Sequence, residues 1–238
     1  MAWRSRMLVG VVLFACAEGC AQEVTLSARI KVVDTEHKTA SSHAENVVVW
    51  LTPIAARAPA MPFSKQPLRL TQHNKSFEPH VLVVPVGSVV QFPNRDPFFH
   101  NVFSLFEGKR FDLGLYEAGT TRNVSFDRPG ISYIFCNIHA EMSAVVIALD
   151  TPYFSISNRK GEIVIPHVPP GRYMMRTWYE TALAESLDAM TREIRVTENT
   201  STLGVLEVPA GMPASAHKNK YGMDYQPPAP NTPAYERP

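Results

Sequence analysis

The stretch ISYIFCNIHAEMSAVVIAL, Ile131 to Leu149, decides how the chain is read. Ile131 to Phe135 and Ser143 to Leu149 are apolar runs of strand length, and Cys136 to Met142 joins them as a loop. Upstream, Val81 to Val84, Ser88 to Phe92, Asn101 to Phe106 and Thr121 to Phe126 are runs of the same kind, punctuated by Gly87, Pro93-Asn94, Gly119 and Pro129-Gly130. Such spacing, with hardly a helical period, predicts an antiparallel β-sandwich. Further out, Val24 to Val33 alternates apolar and polar residues and Val47 to Leu51 is a β-branched run, a pattern that predicts a strand pair. Pro53 to Pro67 holds four prolines and reads as a connector. A second β set follows at Tyr153 to Ser157, Glu162 to Pro166, Arg172 to Tyr179, Arg192 to Thr197 and Leu203 to Val208, with one short helix over Leu183 to Met190. The expected class is all-β.

Composition sets the outer bounds. With 238 residues, 45% hydrophobic and 19% charged, the chain can build one large or two modest cores. Lys plus Arg number 23 against 22 Asp plus Glu, a net charge of +1, so no chain-wide field would draw it to nucleic acid or acidic lipid. Arg4 and Arg6, the apolar run Met7 to Ala17 and the small residues Gly19-Cys20-Ala21 read as a secretory signal over residues 1–21, cleaved near Ala21. That run is shorter than the roughly 20 residues a membrane-spanning helix needs, so the mature chain is expected to have no transmembrane segment and to be periplasmic or secreted. Lipidation at Cys16, through Leu13-Phe14-Ala15-Cys16, is the alternative route, although Phe14 fits a lipobox poorly. Residues 210–238 contain six prolines and no Val, Ile, Leu, Phe or Trp, which predicts a disordered tail in which Tyr221, Tyr225 and Tyr235 are solvated or touch a partner.

Cleavage removes Cys16 and Cys20 and leaves Cys136 as a single thiol in a compartment where thiols oxidise. It is either an inert core cysteine or a metal-bound thiolate, and its neighbours favour the second. C-x2-H-x2-M places Cys136, His139 and Met142 on one loop. Thiolate and thioether together favour copper, whose trigonal site of two imidazoles and one thiolate, with a long axial thioether, transfers electrons. A second imidazole is needed, and Pro97-Phe98-Phe99-His100-Asn101-Val102 supplies one at the mouth of another strand. The other histidines, His37, His43, His73, His80, His167 and His217, show no paired spacing and read as surface or turn residues, with His80 able to brace its strand.

On these residues, 67–150 resembles a cupredoxin, the small blue-copper fold of plastocyanin, amicyanin and azurin. Phe77 to Asn94 (FEPHVLVVPVGSVVQFPN) resembles the early strands, His100-Asn101 the upstream ligand and its following Asn, and Cys136 to Met142 the ligand loop with the short amicyanin-type spacing. The resemblance implies a Greek-key β-sandwich holding one type 1 copper ion through His100, Cys136, His139 and Met142. Asn101 would tie the two ligand segments together by hydrogen bonds from the outer shell. Ala140 stands where many relatives carry Pro, a change that removes no ligand. The edge of His139, ringed by Pro97, Phe98, Phe99, Ile138 and Ala140, would be the electron port for brief docking with a redox partner.

Asn158-Arg159-Lys160-Gly161-Glu162 and Val168-Pro169-Pro170-Gly171-Arg172-Tyr173 resemble the carboxypeptidase regulatory-like, transthyretin-like β-sandwich. The expected organisation is therefore a signal (1–21), a strand pair and connector (22–66), a cupredoxin domain (67–150), a second sandwich (151–209) and the tail (210–238), with residues 22–66 joining the second sandwich. The pair of modules resembles exported proteins labelled methylamine-utilisation-like. Multicopper oxidases and copper nitrite reductases commonly place His beside the electron-accepting Cys, whereas Phe135 and Asn137 flank Cys136 and no H-x-H occurs. The expectation is a non-enzymatic carrier of single electrons between periplasmic partners. The alternative is a non-catalytic binding or structural β-sandwich in which copper is structural or stored.

Overall fold

The computed structural model describes residues 22–34, 44–55, 57–61, 66–105, 108–211 and 217–225. The expected signal segment, Cys16, Cys20, His37, His43 and Tyr235 lie outside them. Among the described residues the chain is nearly all β, with one short helix, Ala184–Met190. No described helix is long and apolar enough to cross a membrane.

The strand Val24–Asp34 shows why its sequence alternates. Leu26, Ala28, Ile30 and Val32 are buried while Thr25, Ser27, Arg29 and Lys31 are exposed, as a period of two requires when one face of a sheet meets a core. It lies between Glu162–Val168, antiparallel, and Thr202–Ala210, parallel. Val48–Pro53 pairs antiparallel with Phe154–Ile156 and Gly171–Trp178, and Arg192–Val196 completes that sheet. Leu26, Ile30, Val49, Leu51, Ile165, Tyr173, Met175 and Leu206 share the core between these two sheets.

Strands from the middle of the chain surround a separate core. One sheet runs in the order Val81–Pro85, Ser143–Leu149, Gly130–Cys136, His100–Ser104, Phe111–Tyr116. The other runs Thr121–Phe126, Ser88–Pro93, Leu68–Arg69, and a small hairpin joins Thr71–His73 to Ser76–Glu78. Phe92, Val102, Tyr116, Phe126, Ile134, Cys136, Met142 and Val146 belong to the core they enclose. Three pairings are parallel, a correction to the expected antiparallel sandwich: Val24–Asp34 with Thr202–Ala210, Val81–Pro85 with Ser143–Leu149, and Leu68–Arg69 with Ser88–Pro93. In each the partners are joined by a crossover rather than a hairpin, so no tight turn dictates their direction.

Ser143–Leu149 lacks the usual alternation because both of its faces are covered. Ala144, Val146 and Ala148 face the core containing Cys136, while Val145, Ile147 and Leu149 pack with Val48, Val81 and Trp178. Trp178 Nε1 donates to the Tyr133 hydroxyl at 3.3 Å across the same junction. His80 Nε2 meets Glu180 Oε2 there at 2.5 Å.

That contact gives a pH prediction. The hydrogen bond to Glu180 raises the His80 pKa above its ordinary 6.5, against the opposing effect of burial. A raised folded-state pKa contributes stability that is fully present below the unfolded value and is lost as pH rises through the folded value. The pair is partly exposed, which limits its contribution to about 1 kcal/mol or less. Thermal unfolding at about pH 6 and about pH 9 is expected to show a loss at the higher pH that Glu180→Gln abolishes. An equal loss in that variant would remove this pair as the cause.

Candidate metal centre

Strand pairing brings two distant segments together. Cys136 ends the strand Gly130–Cys136 and lies opposite Val102, so His100, at the start of His100–Ser104, sits two residues away across the ladder. Asn137 N–H donates to the Asn101 carbonyl at 2.8 Å and locks the register. The loop then turns back on itself: Met142 N–H donates to the His139 carbonyl and Cys136 N–H to the Met142 carbonyl, both at 3.2 Å. His139 is thereby carried over Cys136.

The side chains converge. Cys136 Sγ lies 3.6 Å from His100 Nδ1 and 3.5 Å from His139 Nδ1, and one ligand atom from each residue lies within 4.8 Å of the others. The imidazoles are 4.9 Å apart between centroids. Met142 is fully buried in the same core as Cys136. Phe98 meets both imidazoles edge-on, at 5.4 and 5.6 Å, and Lys75 Nζ lies 5.3 Å from its ring centroid. Phe98, Phe99, Ile138, His139 and Ala140 are half-buried and Pro97 is exposed, so the rim of the cluster meets solvent at His139.

Asp96, absent from the sequence-based site, fixes the tautomer of His100. Its Oδ2 lies 2.8 Å from His100 Nε2, and both side chains are buried. An ionised carboxylate only accepts, so Nε2 carries the proton and Nδ1 presents its lone pair toward Cys136. Burial opposes ionisation of Asp96, but the N–H groups of Lys75 and Asn74, with His100, outweigh it and hold its pKa below the ordinary carboxylate value. Burial lowers the pKa of His100 and pushes His139 down to about 4, keeping both rings neutral at pH 7.

Burial raises the Cys136 pKa, while the N–H groups of Ile138, Asn101 and His139 donate to the sulfur and oppose that rise. Three donors around one sulfur favour a thiolate as soon as a cation replaces the thiol proton. Asn101 thus joins the ligand segments through its backbone, whereas its side chain bonds Asp112 and its Oδ1 has no partner. One soft sulfur with two neutral imidazoles aimed at it is a donor set that fits copper.

A further group of residues was invisible to composition. Residues 217–225 fall within the stretch expected to be disordered, and for them the structure corrects that expectation. His217, read as a surface residue, stacks on Phe135 at 4.2 Å between ring centroids. Tyr225 donates its hydroxyl proton to the Cys136 carbonyl, and Lys220 N–H donates to Asn137 Oδ1 at 2.9 Å. These residues need no aliphatic core, because aromatic stacking and hydrogen bonds to an existing surface order them.

No family model matches the chain, and no curated protein matches it. Solved structures match part of the chain at low identity. The chain is similar to a copper-containing nitrite reductase from Thermus scotoductus SA-01, at 26% identity and TM-score 0.34, over 41% of this chain and 25% of that one, so the likeness spans about a quarter of the reductase. It is similar to a purple cupredoxin from Nitrosopumilus maritimus at 21% identity and TM-score 0.32, over 34% of this chain and 99% of that one. A reduced amicyanin variant aligns at 18% identity and TM-score 0.34, over 42% and 98% of the two chains.

Proposed function

We propose that the protein is an exported electron carrier in which His100, Cys136, His139 and Met142 hold one copper ion. The observation that carries this reading is the convergence of two neutral imidazole nitrogens on a single sulfur, with Asp96 fixing one ring. Copper supplies a one-electron couple to such a site. The chain's contribution is rigidity: His100 is held by a carboxylate, and Cys136 by a strand pairing and three N–H donors. A donor set that cannot rearrange keeps the geometry nearly constant between oxidation states. Met142, buried in the same core as Cys136, would supply a thioether that tunes the potential, and the half-exposed edge of His139 would be the port to a transient redox partner. No catalytic group is assigned.

In the same reading, residues 67–150 form the copper-binding domain. Residues 22–66 and 151–209 form a carboxypeptidase regulatory-like sandwich around it, a division supported by the pairing of Val24–Asp34 and Val48–Pro53 with strands beyond residue 153. Residues 1–21 direct export.

Titration of the metal-free protein with Cu(II) tests the function. The expected result is saturation at one ion per chain, with intense visible thiolate-to-copper absorption and a spin-resonance signal that both disappear on reduction and return on reoxidation. Copper bound without that absorption, or absorption that cannot be cycled, supports stored or structural copper and sinks the carrier reading.

A further inference from the structure

We propose that residues 217–225 form a clamp on the ligand loop, with Tyr225 and Lys220 as positioning residues that help retain the ion. This rests on the copper reading for its function, though the clamp itself is a property of the chain. Three consecutive residues at the end of the cysteine strand are each engaged by one residue of the segment. His217 stacks on Phe135 with an interplanar angle of 28°, Tyr225 donates to the carbonyl of Cys136, and Lys220 N–H donates to the side chain of Asn137.

The segment is built to hold that pose. Asn219 Oδ1 accepts from the N–H groups of Tyr221 and Met223 at 3.0 and 3.1 Å, and Asn219 N–H donates to the Met223 carbonyl at 2.9 Å, closing a compact turn. The Tyr225 hydroxyl also lies 3.2 Å from His217 Nδ1, which joins the two ends of the segment. Lys220 Nζ pairs with Asp112 at 2.8 Å, and Asp112 also bonds the side chain of Asn101. The segment therefore reaches the strand of His100 as well as the loop of Cys136.

The mechanical consequence follows from where the contacts fall. The carbonyl of Cys136 and the side chain of Asn137 flank the peptide that leads to Ile138 and His139, whose N–H groups point at the sulfur. Fixing that peptide fixes both donors and the path of the loop toward His139. Lifting the segment frees the loop without disturbing either core, since residues 217–225 belong to neither.

The test compares the full chain with Tyr225→Phe and with a chain ended after Gly211. In the metal-free proteins, amide hydrogen exchange of residues 137–142 is expected to accelerate by about tenfold in Tyr225→Phe, the effect of losing one part-buried hydrogen bond, and by more in the shortened chain. Amides of Val24–Asp34 are expected to keep their rates, which establishes that the proteins remain folded. With copper bound, transfer of the ion to an excess of chelator should accelerate in the same order. Exchange and transfer within twofold of the full chain in Tyr225→Phe would overturn the clamp. Failure of the full chain to take up copper would overturn the proposed function instead, while the exchange rates would still decide whether the clamp exists.

Discussion

Cys136→Ser, loaded with copper, is expected to lose the visible absorption entirely and to bind the ion more than about 100-fold more weakly, the upper range for removal of an outer-shell partner alone. The serine hydroxyl is not ionised at neutral pH and is a hard donor, so it replaces neither the charge nor the softness of the thiolate. The fold should survive. Cys136 is fully buried, but its sulfur meets N–H groups of Asn101, Ile138 and His139, and a hydroxyl oxygen can accept from them at a cost of about 1 kcal/mol. Optical and spin-resonance spectra beside a thermal unfolding curve check both halves. Retained colour in a folded variant removes Cys136 from the site and with it the electron-carrier reading.

Asp96→Ala is expected to lower both stability and metal affinity. The carboxylate accepts from Asn74 N–H at 2.6 Å, Lys75 N–H at 3.0 Å and His100 Nε2 at 2.8 Å, and it is buried. Asn74 and Lys75 have φ of 53° and 55°, a left-handed turn that neither a glycine nor a proline supports. Asp96 holds that turn against its backbone cost by binding both amides. Alanine leaves three donors without their acceptor, a loss of about 3 kcal/mol, which lowers the unfolding midpoint by about 6–12 °C in a chain of this size. His100 is also released from its fixed tautomer, which should weaken copper binding by about 10–100-fold. Calorimetry of the metal-free protein separates the two effects. A midpoint within a degree or two of the unaltered protein would show that the carboxylate carries no structural load.

Local signals in this chain were legible in its sequence, and those created by packing were not. Val24–Asp34 could be read because its alternation is a local property, and Ser143–Leu149 because a short apolar run centred on Val145, Val146 and Ile147 has few other fates. Phe111–Tyr116 escaped because Gly114 is a poor strand residue, and the strand sits at the edge of its sheet with mixed exposure. The C-x2-H-x2-M spacing was legible, since three ligand types within seven residues carry information without knowledge of the fold. Asp96 carried no such mark. An acidic residue four positions before a histidine in a loop has no periodicity, and only the turn at Asn74 and Lys75, brought in by the hairpin, reveals its second task. His217, Lys220 and Tyr225 were hidden by the same rule that makes proline-rich, aliphatic-poor segments read as disordered. That rule concerns whether a stretch can build its own core, and here the surface was already built.

The position of Ser143–Leu149 reaches beyond architecture. It begins immediately after Met142 and is wedged between two packed interiors, so the downstream end of the ligand loop is anchored in a beam fixed from both sides. Close packing on both faces leaves this strand little room to move independently of Val48 and Trp178 on one side or of Cys136 on the other. Thinning that contact at Val145 or Ile147, which cluster with Val48 and Trp178 rather than with Cys136, is therefore expected to loosen the downstream end of the loop.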